Sequence, residues 1–386
     1  MTSPKPASGN WPEPGPHPPS GYLDAVAGQP VLPVASRAMA AALEQGWSDP
    51  ARLHHTGRRA GLVLDTSRAA IASFLGVPAA QCFLGSSASD VLRAVIGGLV
   101  GTRVAAGASP RIVVSAGESM AVRFAAEACT GCEVVTIPID QYARIDLDSL
   151  QRELAQGAAL ACVQVANAEV GTRQPTSDVY RACRTAGVPL VSDATQVPGH
   201  DQIGEDWDAL VTSPRDWGGP SGVGVLAVRP HVRWRPQEAP DRGWVGGFPD
   251  VAAAAGAGAA AEYVTGPWPA QAVEHRQQVA RIREFVATIP GVRAVGDAKD
   301  RLPHIVTIVA DDAIGEQVVT ELDKRGVAAA SGSACTADNR MPSHVLEAMG
   351  IRTQASIRVS LPYGCTDRTI DDFLTAFPEV LDQTRL

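Results

Sequence analysis

From about Gln81 to Val228 short apolar runs alternate with helix-length stretches. The runs fall at residues 82–84, 111–115, 133–139, 160–166, 189–192, 209–211 and 223–228. Between most of them lie amphipathic segments such as 90–99, 119–128 and 177–185. Strands alternating with crossover helices predict a mostly parallel sheet buried on both faces. The last run, Gly222-Val-Gly-Val-Leu-Ala-Val228, follows its neighbour too closely for a helix and is predicted to lie antiparallel. Residues 255–283 suit one long helix joining two domains. Beyond it, strands at 303–310, 326–330 and 356–361 and helices at 316–324, 343–349 and 368–383 predict a smaller α+β domain. The expected organisation is α/β: a Pro-rich disordered tail at 1–20, a large domain with a seven-stranded sheet at 21–254, and a linking helix with the small domain at 255–386. Residues 22–45 are too apolar to stay solvated and are expected to pack back on one of the domains.

Composition narrows the function classes. The chain has 386 residues, 45% hydrophobic and 19% charged, with a formal net charge of −8. An acidic balance without any basic run argues against a nucleic-acid or anionic-membrane surface. No apolar stretch reaches transmembrane length, and the N-terminus lacks the design of a signal peptide. Seven scattered cysteines predict a reducing, cytoplasmic setting rather than a disulfide framework. Cys129 and Cys132 form a lone CxxC, read as surface or core residues, because zinc would need four ligands.

Ligands of open parallel sheets bind at the carboxyl ends of the strands, so residues there are the informative ones. Pro189-Leu-Val-Ser-Asp193 places a carboxylate at a strand end, with Gln196 just beyond. A buried Asp needs a cation or several donors; a protonated pyridine nitrogen is one such partner, while an N-cap or a metal ligand is equally open. Asn167 and Glu169 end the preceding strand on the same edge. Ser86-Ser-Ala-Ser89 precedes a helix, where N–H groups and the Ser87 hydroxyl can cradle a phosphate or simply cap the helix. Cys335, in Ser331-Gly-Ser-Ala-Cys335-Thr, reads as an exposed loop thiol or a buried structural one. Arg358 interrupts an apolar strand and can bind a carboxylate bidentately or form an internal salt bridge.

Taken together, these segments resemble the cysteine desulfurases, pyridoxal-phosphate enzymes of the class-V aminotransferase family with the fold-type I transferase architecture. The resemblance runs from about Tyr22 to Phe373. It rests on Tyr22-Leu-Asp, Leu53-His-His-Thr-Gly57, Asn167-Ala-Glu-Val-Gly171, Ser192-Asp-Ala-Thr-Gln196, Ser331-Gly-Ser-Ala-Cys335, Pro342-Ser-His-Val-Leu-Glu-Ala-Met-Gly350 and Ser356-Ile-Arg358. It implies pyridoxal phosphate as cofactor, L-cysteine as substrate and a loop thiol that takes the sulfur as a persulfide. By position, Asp193 would face the pyridine nitrogen, Gln196 and Asn167 the ring oxygen, and Ser87 and Ser213 the phosphate. Arg358 would hold the cysteine carboxylate, Cys335 would receive the sulfur, and His54 is a further retained site residue. A homodimer and a sulfur-acceptor protein are also implied, with Val245 and Phe248 facing the neighbouring subunit's cavity.

The sequence departs from the family pattern at one cofactor. The Ser-x-His-Lys segment reads Ser213-Pro-Arg215-Asp216, so Asp216 stands at the lysine position. The only lysines are Lys5, Lys299 and Lys324. A carboxylate forms no imine. Ser119 stands at the stacking histidine, Ser86-Ser-Ala88 at the Gly-Ala-Thr phosphate turn, Ala168 at the second Asn, and Val245-Gly-Gly-Phe248 at Arg-Ser-Gly-Thr. Two readings follow. The leading one is a desulfurase-like protein moving sulfur from L-cysteine to Cys335, with impaired or altered activity and the cofactor held without a covalent bond. The alternative is a non-catalytic paralogue: a sulfur carrier, partner subunit or regulator. A different chemistry using Asp216 as general base ranks behind both.

Overall fold

The computed structural model describes residues 11–12, 15–236, 240–332 and 343–385. Its large sheet contains β1 (Cys82–Gly85), β2 (Arg111–Ser115), β3 (Glu133–Ile137), β4 (Leu160–Cys162), β5 (Leu190–Asp193), β6 (Ala209–Thr212), β7 (Gly224–Val228) and β8 (Trp244–Val245). The order is β3-β2-β4-β5-β6-β7-β1-β8. As expected, β7 runs antiparallel to both β6 and β1. The other pairs are parallel. The eighth strand was not anticipated, because two residues are too few to leave an alternating pattern.

Helices α1 (Pro33–Gln45), α2 (His55–Phe74), α3 (Ala88–Ala105), α4 (Met120–Glu127), α5 (Leu147–Ala155), α6 (Thr176–Ala186) and α7 (Val251–Thr265) accompany this sheet. Then come α8 (Trp268–Val286), β9 (Val292–Val295), β10 (Ile305–Ala310), α9 (Gly315–Lys324), β11 (Ala330–Ser331), α10 (His344–Ala348), β12 (Ala355–Ser360) and α11 (Asp367–Thr384). The small sheet is antiparallel, in the order β11-β12-β10-β9.

The single long helix expected over 255–283 is two helices broken at Gly266-Pro267, where glycine is flexible and proline lacks the N–H to continue the ladder. The break separates two cores. Ala253, Ala254, Ala257, Ala260, Ala261 and Val264 of α7 join the large-domain core. Val279, Ile282 and Val286 of α8 join the core beneath β10, β12 and α11. The Ala/Gly composition of α7 reflects close packing: a Cβ on Gly256 would lie 2.6 Å from Met39 Cγ.

The N-terminal segment is divided between the domains. Tyr22 and Asp24 form parallel bridges to Ala328 and Ser360 at the small sheet, and buried Leu23 enters the small core. Helix α1 then returns to pack on α7. Part of the expected disordered tail is also held. Trp11 stacks on Tyr263 with centroids 5.6 Å apart, lies 5.1 Å from the Tyr363 ring, and donates to Gln271 Oε1 at 3.1 Å. An aromatic anchor with a hydrogen-bonded tip overrides the proline-rich composition around it.

Candidate functional site

The carboxyl ends of β2, β4, β5 and β6 converge on a buried polar cluster. Strand β5 is buried throughout and its register against β6 pairs Asp193 with Val211, leaving the carboxylate at the crevice. Asp193 Oδ2 accepts from Ser119 Oγ at 3.0 Å and Oδ1 from the Thr195 N–H at 2.9 Å. Burial raises its pKa above the usual carboxylate range, and these donors only partly offset that. Ser119 is the N-cap of α4, so one hydroxyl both starts the helix and meets the carboxylate.

Asp216 lies in the short 3-10 turn after β6 and is buried. Its Oδ1 accepts from Gln196 Nε2 at 2.9 Å. Burial pushes its carboxyl up to about 8, with Arg215 pulling the other way and Asp193 adding to the shift. The side chain is therefore a neutral acid at pH 7. Gln196 Oε1 in turn lies 3.4 Å from His304 Nε2, and His200 Nε2 donates to the Asp216 carbonyl at 3.0 Å. The rings of His200 and His304 stack 3.7 Å apart, with Tyr363 4.9 Å on the other side of His200. His275 completes this buried group, its Nε2 3.2 Å from the Pro362 carbonyl. Burial lowers all three imidazoles, His200 to about 4 and His275 to about 3, so they are neutral.

Glu118 is a further buried acid beside this edge. It accepts from the Gln164 N–H and is pushed up to about 8 by burial, with Gln164 opposing and Asp193 adding. Sequence reasoning passed over Glu118 and the histidine trio. The eight histidines are scattered, and only the fold brings three of them together. A single acid two residues before a helix carries no pattern at all.

The other anticipated residues are placed as follows. Asn167 is buried; Oδ1 accepts from the N–H groups of Glu169 and Val170, and Nδ2 donates to the Gly117 carbonyl. Ser87 is the N-cap of α3, and its hydroxyl both accepts from the Asp90 N–H and donates to Asp90 Oδ2 at 2.7 Å. Ser213 precedes the 3-10 turn and makes no capping bond. Arg358 sits on β12, where its guanidinium pairs with Asp24 at 3.0 Å while Nε, buried, has no partner. Asp24 belongs to the quoted Tyr-Leu-Asp segment, but its partner lies 334 positions away and was not foreseen. His54 is exposed and caps α2, its Nδ1 taking the Gly57 N–H. It does not join the buried cluster. Val245 is buried in β8, so of the two residues expected to face a neighbour only Phe248 is exposed. Cys335 lies outside the described residues.

Pyridoxal phosphate, the cofactor that the resemblance implies, does not fit these residues as a covalently held group. The position assigned to its lysine carries the buried acid Asp216. Lys299 and Lys324 are exposed in the small domain, Lys324 paired with Glu321. Lys5 lies outside the described residues. The side chains expected to hold the ring are engaged within the protein: Gln196 with Asp216, Asp193 with Ser119, and Asn167 with its own turn.

Comparison with known proteins agrees with this architecture. The family Aminotransferase class-V matches residues 21–373. A cysteine desulfurase of Cereibacter sphaeroides is 31% identical over 377 residues, covering 94% of this chain and 96% of the relative. The cysteine desulfurase NifS of Azotobacter vinelandii is 29% identical over 390 residues, covering 94% and 93%. A solved NifS-like protein superposes with a TM-score of 0.86 at 24% identity, over 94% of this chain and all of that one, which speaks to the fold. Family match, identity and fold coincide over nearly the same span, and the chain belongs to the class-V aminotransferase family, among the cysteine desulfurases.

Proposed function

We propose that this chain is a sulfur-transfer protein of the cysteine desulfurase type that carries sulfur on Cys335 without itself releasing it from L-cysteine. One observation supports this above the rest: Asp216, a buried neutral acid bonded to Gln196, stands where an amine would be needed. Arg358, the candidate for a substrate carboxylate, is already neutralised by Asp24. Sulfur would then arrive as a persulfide from a lysine-bearing desulfurase and leave to an acceptor protein.

A homodimer is part of this reading. Trp47 and Phe248 line one surface cleft together with Leu43, and they are 70% and 64% exposed. Exposed large apolar side chains gathered in one patch favour burial against a second copy. Among the described residues no helix is long and apolar enough to cross a membrane.

A second reading, a desulfurase that keeps pyridoxal phosphate without an imine and cleaves L-cysteine, draws on Asp193. Its buried strand-end carboxylate suits a protonated ring nitrogen. One experiment separates the two. The purified chain is mixed with pyridoxal phosphate, scanned into the visible, and assayed with L-cysteine for sulfide and alanine. Radiolabelled cysteine is then added with an active desulfurase. The carrier reading expects no bound chromophore, no sulfide from the chain alone, and label on Cys335 that Cys335→Ser abolishes. Cysteine-dependent sulfide from the isolated chain, or label that survives Cys335→Ser, overturns it.

A further inference from the structure

We propose that Cys129 and Cys132 form a second thiol site, a dithiol that reduces the sulfur–sulfur bond of small persulfides and disulfides and closes to a disulfide in doing so. In sequence this pair is only a lone CxxC. In the structure it ends α4 and leads into β3 as a turn, Cys129-Thr-Gly-Cys132, closed by the Cys132 N–H to the Cys129 carbonyl at 3.2 Å. Gly131 holds the φ of +79° that the turn requires. A hydrogen-bonded four-residue turn brings its end Cα atoms within about 7 Å, and a disulfide spans roughly 4.4–6.8 Å, so closure needs little backbone movement.

The side chains share a face. Both pack against the apolar cluster formed by α3, α4 and β2. They also sense one another: burial raises the Cys129 thiol and the neighbouring Cys132 raises it further. Both are half-buried, whereas Cys82, Cys162, Cys183 and Cys365 are buried. Cys129 additionally lines a cleft of about 420 Å³ between α3 and α4, with Arg93, Gly246 and Gly247 on its other walls. The cleft offers room for a small thiol carrier, and Arg93 on its wall is paired with Asp90. Among the described residues no group of His, Cys, Asp and Glu is arranged to hold a metal, so a zinc role for the pair has no further ligands.

The chemistry balances without an added oxidant. With a persulfide R–S–SH, one thiolate of the pair takes the outer sulfur and expels the thiol RSH. The other thiol then attacks that cysteine's sulfur and releases hydrogen sulfide. Two thiols are oxidised to one disulfide, and the sulfane sulfur is reduced to sulfide. With a disulfide R–S–S–R the same two attacks give two RSH and no sulfide. The site complements the sulfur-transfer reading but is independent of Cys335, so it is tested in Cys335→Ser protein.

That protein is incubated with glutathione persulfide in one arm and glutathione disulfide in another, and its tryptic peptide 124–144, which contains both cysteines, is weighed after alkylation. The expected result is a peptide lighter by two hydrogens and refractory to alkylation in both arms, with one equivalent of sulfide only in the persulfide arm. In Cys129→Ser the sulfur adduct should remain on Cys132 and sulfide fall at least about tenfold, because no internal thiol resolves it. A native peptide that stays fully alkylatable in both arms overturns the proposal, and that readout requires no variant at this pair. Sulfide release unchanged by Cys129→Ser also overturns it. Loss of labelling at Cys335 in native protein would refute the carrier function alone.

Discussion

Replacing Asp216 by Asn tests the electrostatics of the site through the pH dependence of stability. Asp216 and Glu118 are both pushed up to about 8 in the folded chain, while unfolded carboxyls titrate near 4. For a raised carboxyl, the folded state keeps a proton that the unfolded state has lost. The favourable contribution is therefore complete below about pH 4 and lost as pH rises towards 8. His200 and His275, at about 4 and 3, and His304, held well below its usual value, have the opposite sense: their contribution is complete above about pH 6.5 and lost as pH falls. Between pH 6.5 and 7.5 each of these two acids releases close to one proton on unfolding, partly offset by the imidazoles, which are still partly protonated once unfolded. Each acid thus steepens the loss of stability by up to about 1.4 kcal/mol per pH unit, at about 1.4 kcal/mol per proton. Below pH 6.5 the proton uptake by the three imidazoles on unfolding grows and opposes that release, so stability turns over on the acid side of pH 6.5. Asp216→Asn keeps an acceptor for Gln196 and removes one titration, so above pH 6.5 its stability should fall less steeply than the native protein's, by about 1.2 kcal/mol per unit. Urea unfolding at fixed protein concentration, followed by tryptophan fluorescence at half-unit steps, measures this directly; Trp217 adjoins the site and is buried. A variant slope equal to the native one would mean that Asp216 is ionised in the folded protein, and the neutral-acid description would fail.

Three further outcomes follow from contacts in the structure. Asp24→Ala leaves Arg358 without its partner at a site where both side chains are less than a quarter exposed, and should lower stability by about 1–3 kcal/mol in a thermal melt; an unchanged midpoint would show the pair to be dispensable. Gly199→Ala would place a Cβ 2.2 Å from Tyr363 Oη at a φ of +81°, so it should destabilise by at least about 2 kcal/mol and disturb the hydrogen bond from Tyr363 to the Gly199 carbonyl. Its near-ultraviolet circular dichroism should change with it, and a native-like spectrum and midpoint would contradict the packing. Trp47→Asp combined with Phe248→Asp should convert a dimer to a monomer of native fold, read by light scattering; a stable dimer in that variant would place the interface elsewhere.

The large sheet was legible because each buried strand is a continuous apolar run, and its chirality and connections leave little choice of topology. The two-residue β8, and β9 with its exposed Arg293, carry too little pattern to be read. The break at Gly266-Pro267 was written plainly in the sequence, yet the surrounding alanines outweighed it in the reading. At the site the division is sharper. Asp193, Gln196, Asn167 and Asp216 were visible because they sit in contiguous motifs near strand ends. Their pairings were not: Ser119 and His304 come from remote segments, and nothing local ties them to Asp193 and Gln196, or ties Asp24 to Arg358. That difference matters for function: motif residues alone describe an ancestral pocket, whereas the partners show what each group is doing now. Gln196 is the clearest case. As a motif residue it would face a cofactor oxygen, but its amide nitrogen is bonded to Asp216 and its oxygen faces His304. Restoring cofactor chemistry would therefore require breaking this pair as well as supplying an amine, which is why Asp216 reads as an integrated element of the folded site rather than an isolated loss.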